Sequence, residues 1–241
     1  MSVEARVTAE HGRLLVGLSG GLGLPDVAPL RQRLLKCLAE QPDAMMLDIS
    51  ALKVQEPLAL AVFSTVARQA ARWPGIPVVL CAPRWEARHA LTLAAYRRLP
   101  LTDSVDEARA MLADDRRMLP TISDELLPIK GAARQARNVA TDACLRWDLP
   151  DLVAPASLIA SELVSNVVDH AHTMMTLRMS VRRRYLHIAV RDGSSEPPEL
   201  RPTTPSASSG RGLMLVKASA HSWGWLPCEG GKVVWASLST R

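Results

Sequence analysis

Aromatic residues are scarce, with one Phe, two Tyr and six Trp in 241 residues. Few rings are left on which successive bases could stack, so a single-strand nucleic-acid platform is not expected. Cysteine is sparse as well. Cys37, Cys81, Cys144 and Cys228 lie far apart with no CxxC pair, a pattern that suggests neither a disulfide framework nor a zinc site. Long apolar runs are lacking: the densest, Leu58 to Val66, is too short to span a bilayer, and the opening Met1-Ser2-Val3-Glu4-Ala5-Arg6 has no apolar signal core. Strong charge of either sign is also missing. The net +5 is scattered apart from Arg116-Arg117 and Arg182-Arg183-Arg184, and the triplet falls between two strand-like runs, where a solvated hairpin turn accounts for it. These absences give the expectation of a reduced, cytoplasmic protein with no membrane segment and no direct nucleic-acid partner. The composition, 48% apolar and 22% charged, is globular, and the length accommodates two ordinary domains.

The first half alternates strand and helix signals. Strands are expected at Val3 to Thr8 and Leu14 to Leu18, followed by a glycine-rich turn, Gly20-Gly21-Leu22-Gly23. From Pro25, the residues Leu30, Leu34, Leu35 and Leu38 recur at helical spacing. Ala44 to Ile49 and Pro77 to Ala82 are short continuous apolar runs, the pattern of strands covered on both faces. Helices over Pro57 to Arg72, Arg84 to Arg97 and Asp103 to Leu112, with Leu101 before the last, complete a small α/β unit. The charged Asp114-Asp115-Arg116-Arg117 and Pro120 then mark a boundary, giving domains over residues 1–115 and 120–241. Downstream come helical patterns over Asp124 to Trp147 and Ala154 to Ala171, and strands over Met174 to Val181 and Tyr185 to Val190. A long polar loop from Asp192 to Gly210 is the kind that forms a lid. A helix over Gly212 to His221 and strands over Ser222 to Leu226 and Lys232 to Leu238 end the chain.

Three features carry chemistry. Glu162, Asn166 and His170 are spaced by four on one predicted helix face, beside an apolar stripe of Ile159, Leu163 and Val167. An amide oxygen suits Mg²⁺, and a nearby carboxylate can deprotonate a nucleophile that attacks a phosphoryl group. Alone, such spacing is usually just the mark of a solvated helix face. Next, Val190-Arg191-Asp192-Gly193 puts an aspartate at a strand exit, where it could accept from an adenine amino group while Gly193 lets backbone approach the ring; an ordinary Asp-Gly turn is the plainer reading. Third, Gly210-Arg211-Gly212-Leu213 opens a helix with its N–H groups available to phosphates.

In this order and spacing the segments resemble the N, G1 and G2 boxes of the GHKL ATPase superfamily, specifically the anti-sigma-factor serine/threonine kinases. Ser161-Glu162-Leu163-Val164-Ser165-Asn166 with His170-Ala171 is similar to the N box, Val190 to Ser194 with Pro197-Pro198 to G1, and Gly210 to Leu213 to G2. His221-Ser222-Trp223-Gly224 and Gly230-Gly231-Lys232-Val233-Val234-Trp235 are similar to the family's last two strands. The resemblance implies a Bergerat-type α/β sandwich that binds ATP with Mg²⁺. Asn166 would hold the metal, Glu162 would activate an acceptor serine, and Asp192 with Gly193 would select adenine. His170, Gly210, Arg211, Gly212 and Leu213 would complete the nucleotide site. Two departures stand out: Val233 where the family often has threonine, and Ser194-Ser195-Glu196 in place of a glycine-richer G1 loop.

The first half more loosely resembles a STAS domain, the fold of anti-sigma-factor antagonists, through Leu47-Asp48-Ile49-Ser50-Ala51-Leu52-Lys53-Val54-Gln55-Glu56-Pro57-Leu58. Antagonists carry a phosphorylatable serine where this chain has Pro57, a residue suited to a first helical position but unable to accept phosphate. The expected fold is therefore α/β, a STAS-like domain followed by the ATP-binding sandwich. The partners implied are a separate STAS-domain antagonist, a sigma factor as a second candidate, and a second copy of the chain as a homodimer. A non-catalytic regulatory scaffold is the alternative. A sensor histidine kinase is disfavoured, because no long dimerisation helix with a candidate histidine precedes the N box.

Overall fold

The computed structural model describes residues 2–92, 99–113, 120–182, 184–199 and 212–241. Two compact units, Met1–Arg117 and Met118–Arg241, each carry a five-stranded sheet.

In the first unit β1 (Glu4–Glu10) forms an antiparallel hairpin with β2 (Arg13–Leu22). Parallel strands β3 (Met45–Val54), β4 (Val78–Cys81) and β5 (Leu101–Thr102) extend the sheet in the order β1-β2-β3-β4-β5. Parallel neighbours need crossovers, supplied by α1 (Val27–Ala39), α2 (Ala61–Arg72) and α3 (Trp85–Leu91). Met45, Met46 and Leu47, like all of β4, are buried, as expected of strands covered on both faces. A last helix, α4 (Val105–Ala113), packs Ala108 and Leu112 against Ala44, Met46, Val79 and Cys81. Arg13 holds its end by donating to Leu112 O at 2.7 Å.

Two expectations change here. The glycine-rich segment is not a turn: β2 continues through it to Leu22, pairing Gly20, Gly21 and Leu22 with Leu52, Lys53 and Val54. Gly20 takes a φ of +94° just past a register shift between Gly17 and Ser19, a conformation that favours glycine inside the strand. The strand predicted to end at Ile49 likewise runs on to Val54. Pro57 opens a 3₁₀ turn, Pro57–Leu60, directly before α2, so proline does occupy a first helical position.

The second unit is a two-layer α/β sandwich. β6 (Thr121–Leu126), β7 (Met175–Arg182), β8 (Tyr185–Asp192), β10 (Gly231–Ser239) and β9 (Ser222–Cys228) form a wholly antiparallel sheet in that order. One face packs against α5 (Ala132–Arg146), α6 (Val153–Asn166) and α7 (Gly212–Ser219). Alternate residues supply that face: Leu177 and Met179 from β7, Ile188 and Val190 from β8, Val234 and Ala236 from β10. Opposite them, Ala132, Ala136, Ala140 and Ala143 make a small-residue stripe that lets α5 approach α6 through Ala156, Ile159 and Ala160. Residues 150–171 are apolar and long enough to cross a membrane, but Ala156, Ile159, Ala160, Leu163 and Val164 in that stretch are core residues of this sandwich.

The helix expected from Asp124 begins instead at Ala132, because Thr121–Leu126 is a strand at the sheet edge. Its burial alternates with period two, Ile122, Asp124 and Leu126 being its more buried residues, and Pro128 separates it from α5. The α/β class expected of the chain is the class both units adopt.

Candidate functional site

Helix α6 is pressed into the core by Ile159, Ala160, Leu163 and Val164, which leaves Glu162 and Asn166 on its half-buried flank. Its last turn is not α-helical. Val167–Ala171 is a π-helical turn in which His172 N reaches back to Val167 O at 2.8 Å, and His172 closes it in the left-handed region with φ 54°. Such wider turns are frequent at functional sites. His170 is therefore displaced from the regular four-residue row that its spacing implies, yet it still lines the cavity below.

Beside this turn lies a cavity of about 410 Å³, walled by Leu163, Asn166, Val167 and His170 from the helical layer. Val190 and Asp192 at the end of β8, Lys232 and Val234 from β10, and Leu213 from α7 close it, together with Ser194 and Pro197-Pro198 of the following loop. The size suits a nucleotide-class ligand. Asp192 is buried, its side chain 1% exposed, and Lys232 Nζ donates to its Oδ1 at 2.9 Å. The same Oδ1 accepts from Ser194 N at 2.8 Å, and Lys232 Nζ also donates to Ser194 O at 3.2 Å. The pair is set by the sheet, since Lys232 lies directly opposite Asp192 between β10 and β8.

Gly212, the first residue of α7, stands directly above α6. A Cβ there would lie 2.7 Å from Glu162 Oε2 and 3.4 Å from Asn166 Oδ1. Glycine leaves the Glu162 carboxylate undisturbed there, and the approach brings the amino end of α7, with its N–H groups, to the carboxylate and the amide. Asn166, His170, Leu213 and Asp192 line the cavity, and Glu162 and Gly212, which do not line it, meet beside Asn166. Gly193 does not join them. Its N–H donates to Thr173 Oγ1 at 2.9 Å, and it lines a second depression of about 220 Å³ that Asp192 also borders, with Glu125 and Met174. Gly210 and Arg211 lie outside the described residues.

The residues present fit a Mg²⁺-nucleotide. Asn166 Nδ2 is buried without a hydrogen-bond partner, an orphan at the cavity wall that a ligand oxygen would satisfy. Among the described residues no group of three or more His, Cys, Asp or Glu gathers into a metal cage. A single amide oxygen matches the way Mg²⁺ is held, mostly by phosphates and water.

Val233 stands where the family often has threonine. Strand alternation turns Lys232 and Val234 to the cavity, while Val233 is absent from its wall. Lys232 was legible only as a lone cation in an apolar strand, Gly231-Lys232-Val233-Val234-Trp235-Ala236.

The first unit is similar to solved structures that include anti-sigma-factor antagonists. One, from Mycobacterium paratuberculosis, shares 23% identity over 47% of this chain and 96% of its own, with a TM-score of 0.41. A substituted form of RsbS from Moorella thermoacetica shares 20% identity over 47% of this chain and 98% of its own, again with a TM-score of 0.41. A search of curated proteins returned no match. In the second unit, residues 129–238 match the model for the histidine kinase-like ATPase domain. The stretch so matched contains α5, α6, α7, the cavity and every residue described around it. The C-terminal half of this chain is a histidine kinase-like ATPase domain.

Proposed function

We propose that the C-terminal unit is a Mg²⁺-ATP-dependent protein serine kinase that phosphorylates a separate STAS-domain antagonist in a partner-switching circuit controlling transcription. The observation that carries this reading is the meeting of Glu162, Asn166 and the start of α7 at Gly212, beside the cavity that Asn166 and Leu213 line. Bound Mg²⁺-ATP would supply the phosphoryl group and the neutralising charge. Asn166 offers the metal its amide oxygen, and the N–H groups opening α7 face the anionic end. Glu162, which no described residue engages in an ion pair, is free to take the proton from an acceptor hydroxyl. At the far end Asp192 accepts from the base.

The acceptor belongs to another chain. Pro57 occupies the start of the helix that in antagonists bears serine, and proline has no hydroxyl to phosphorylate. A sigma factor as a second partner, and a homodimer, extend the same reading.

The test is incubation with labelled ATP, Mg²⁺ and serine-bearing STAS proteins, beside Glu162→Ala and Asn166→Ala. Transfer to serine that falls at least a hundredfold in Glu162→Ala supports the kinase, by the scale of general-base catalysis. ATP binding without transfer to any such partner would leave a nucleotide-responsive binding module.

A further inference from the structure

Lys232 is an ammonium set in a run of buried hydrophobic residues, itself 7% exposed. Burying such a charge is unfavourable unless it is paired and hydrogen-bonded. It is both, through Asp192 Oδ1 at 2.9 Å and Ser194 O at 3.2 Å. An ammonium has three donors, and these contacts use two. Asp192 has two carboxylate oxygens, and Oδ1 alone carries the contacts from Lys232 and Ser194 N. Both residues line the cavity. Among the described residues the floor therefore presents one unused donor directly beside one unused acceptor, held in register by the β8–β10 pairing of Lys232 with Asp192.

A 6-aminopurine carries the complement along one edge, an exocyclic amino group next to an unprotonated ring nitrogen. We propose that Lys232 is a base-reading residue: its free N–H donates to the ring nitrogen adjacent to the amino group that Asp192 accepts. The inference rests on the ATP reading above and adds a direct, charge-assisted contact. It also explains why a lysine is kept at the floor of an apolar pocket, where an uncharged residue would serve packing better. A 6-oxopurine offers the same two roles in exchanged positions, so the discriminating probe is one that deletes the ring nitrogen alone.

The experiment is calorimetric titration of the full chain with Mg²⁺-ATP and Mg²⁺-1-deaza-ATP, for the parent and for Lys232→Met. The parent is expected to prefer ATP by roughly ten- to a hundredfold, the scale of one charge-assisted hydrogen bond. In Lys232→Met that preference should collapse to within about twofold, which a double-mutant cycle reads directly. Lys232→Met leaves Asp192 buried and unpaired, so thermal unfolding is followed in parallel; if it does not fold, Asp192→Asn/Lys232→Met, which buries neither charge, must also show no preference. Equal binding of both nucleotides by the parent overturns the proposal while leaving the ATP site standing. Retained preference in the variants overturns it too, as does tighter ATP binding by Lys232→Met, which would make the lysine an obstruction. Binding of neither nucleotide by the parent overturns the ATP reading together with this one.

Discussion

Gly212 is the position at which helix α7 comes closest to Glu162 and Asn166, and its missing side chain leaves the carboxylate undisturbed. Gly212→Ala would put a methyl group 2.7 Å from Glu162 Oε2. Relief requires the carboxylate to swing away or the start of α7 to withdraw. Because Oε2 is the far end of a flexible side chain, the carboxylate swings away at little cost in stability, and the expected outcome is an almost unchanged unfolding midpoint with ATP binding weakened at least tenfold by titration. At the same scale, His187 stands apart from the cavity but is buried, with neither ring nitrogen partnered. Burial, helped by the Arg182 charge, pushes its pKa down to about 4. A histidine that stays neutral when folded but protonates when unfolded loses stability as pH falls below its ordinary value, the loss growing until the folded pKa is reached. Between pH 7 and pH 5 this amounts to roughly 2 kcal/mol, and His187→Gln should abolish that portion of the slope in urea unfolding measured at both pH values. Single residues were unevenly legible. Glu162, Asn166 and Asp192 could be found because a polar group at a set spacing beside an apolar stripe leaves a pattern, whereas Lys232 depends on cross-strand register, which no local spacing encodes.

At the scale of elements, α5 and α6 pack through alanine. Ala140 is fully buried between its neighbours, and the stripe Ala132, Ala136, Ala140 and Ala143 fixes how near the two helices lie. Ala140→Leu should therefore lower the urea midpoint by an amount equivalent to about 1–3 kcal/mol, while an exposed change on the same helix, Arg137→Ala, should shift it little. The stripe was readable from helical period. The start of α5 was not, because Ser123-Asp124-Glu125-Leu126 has helix-opening chemistry yet pairs with β7, and long-range pairing overrides local propensity. The same competition extended β2 through Gly20 and Gly21, where pairing with β3 outweighs the turn preference of glycine. The π-helical turn after Asn166 was invisible as well, since a one-residue widening leaves the four-residue spacing of Asn166 and His170 unchanged in sequence.

For the whole molecule, alternation of apolar runs with amphipathic helices made the parallel part of the first sheet legible, and the paired strands after two long helices did so for the antiparallel second. The candidate site lies in the second unit, residues 129–238 of which match the ATPase domain. Its cavity is pre-formed, and Asn166 Nδ2 waits at the wall without a partner. The most direct test of this account is titration of the full chain with ATP in the presence of Mg²⁺ and again in excess chelator. One saturable site per chain is predicted, at least tenfold weaker without Mg²⁺ and in Asn166→Ala. Failure of the parent protein to bind ATP, with or without Mg²⁺, would contradict it.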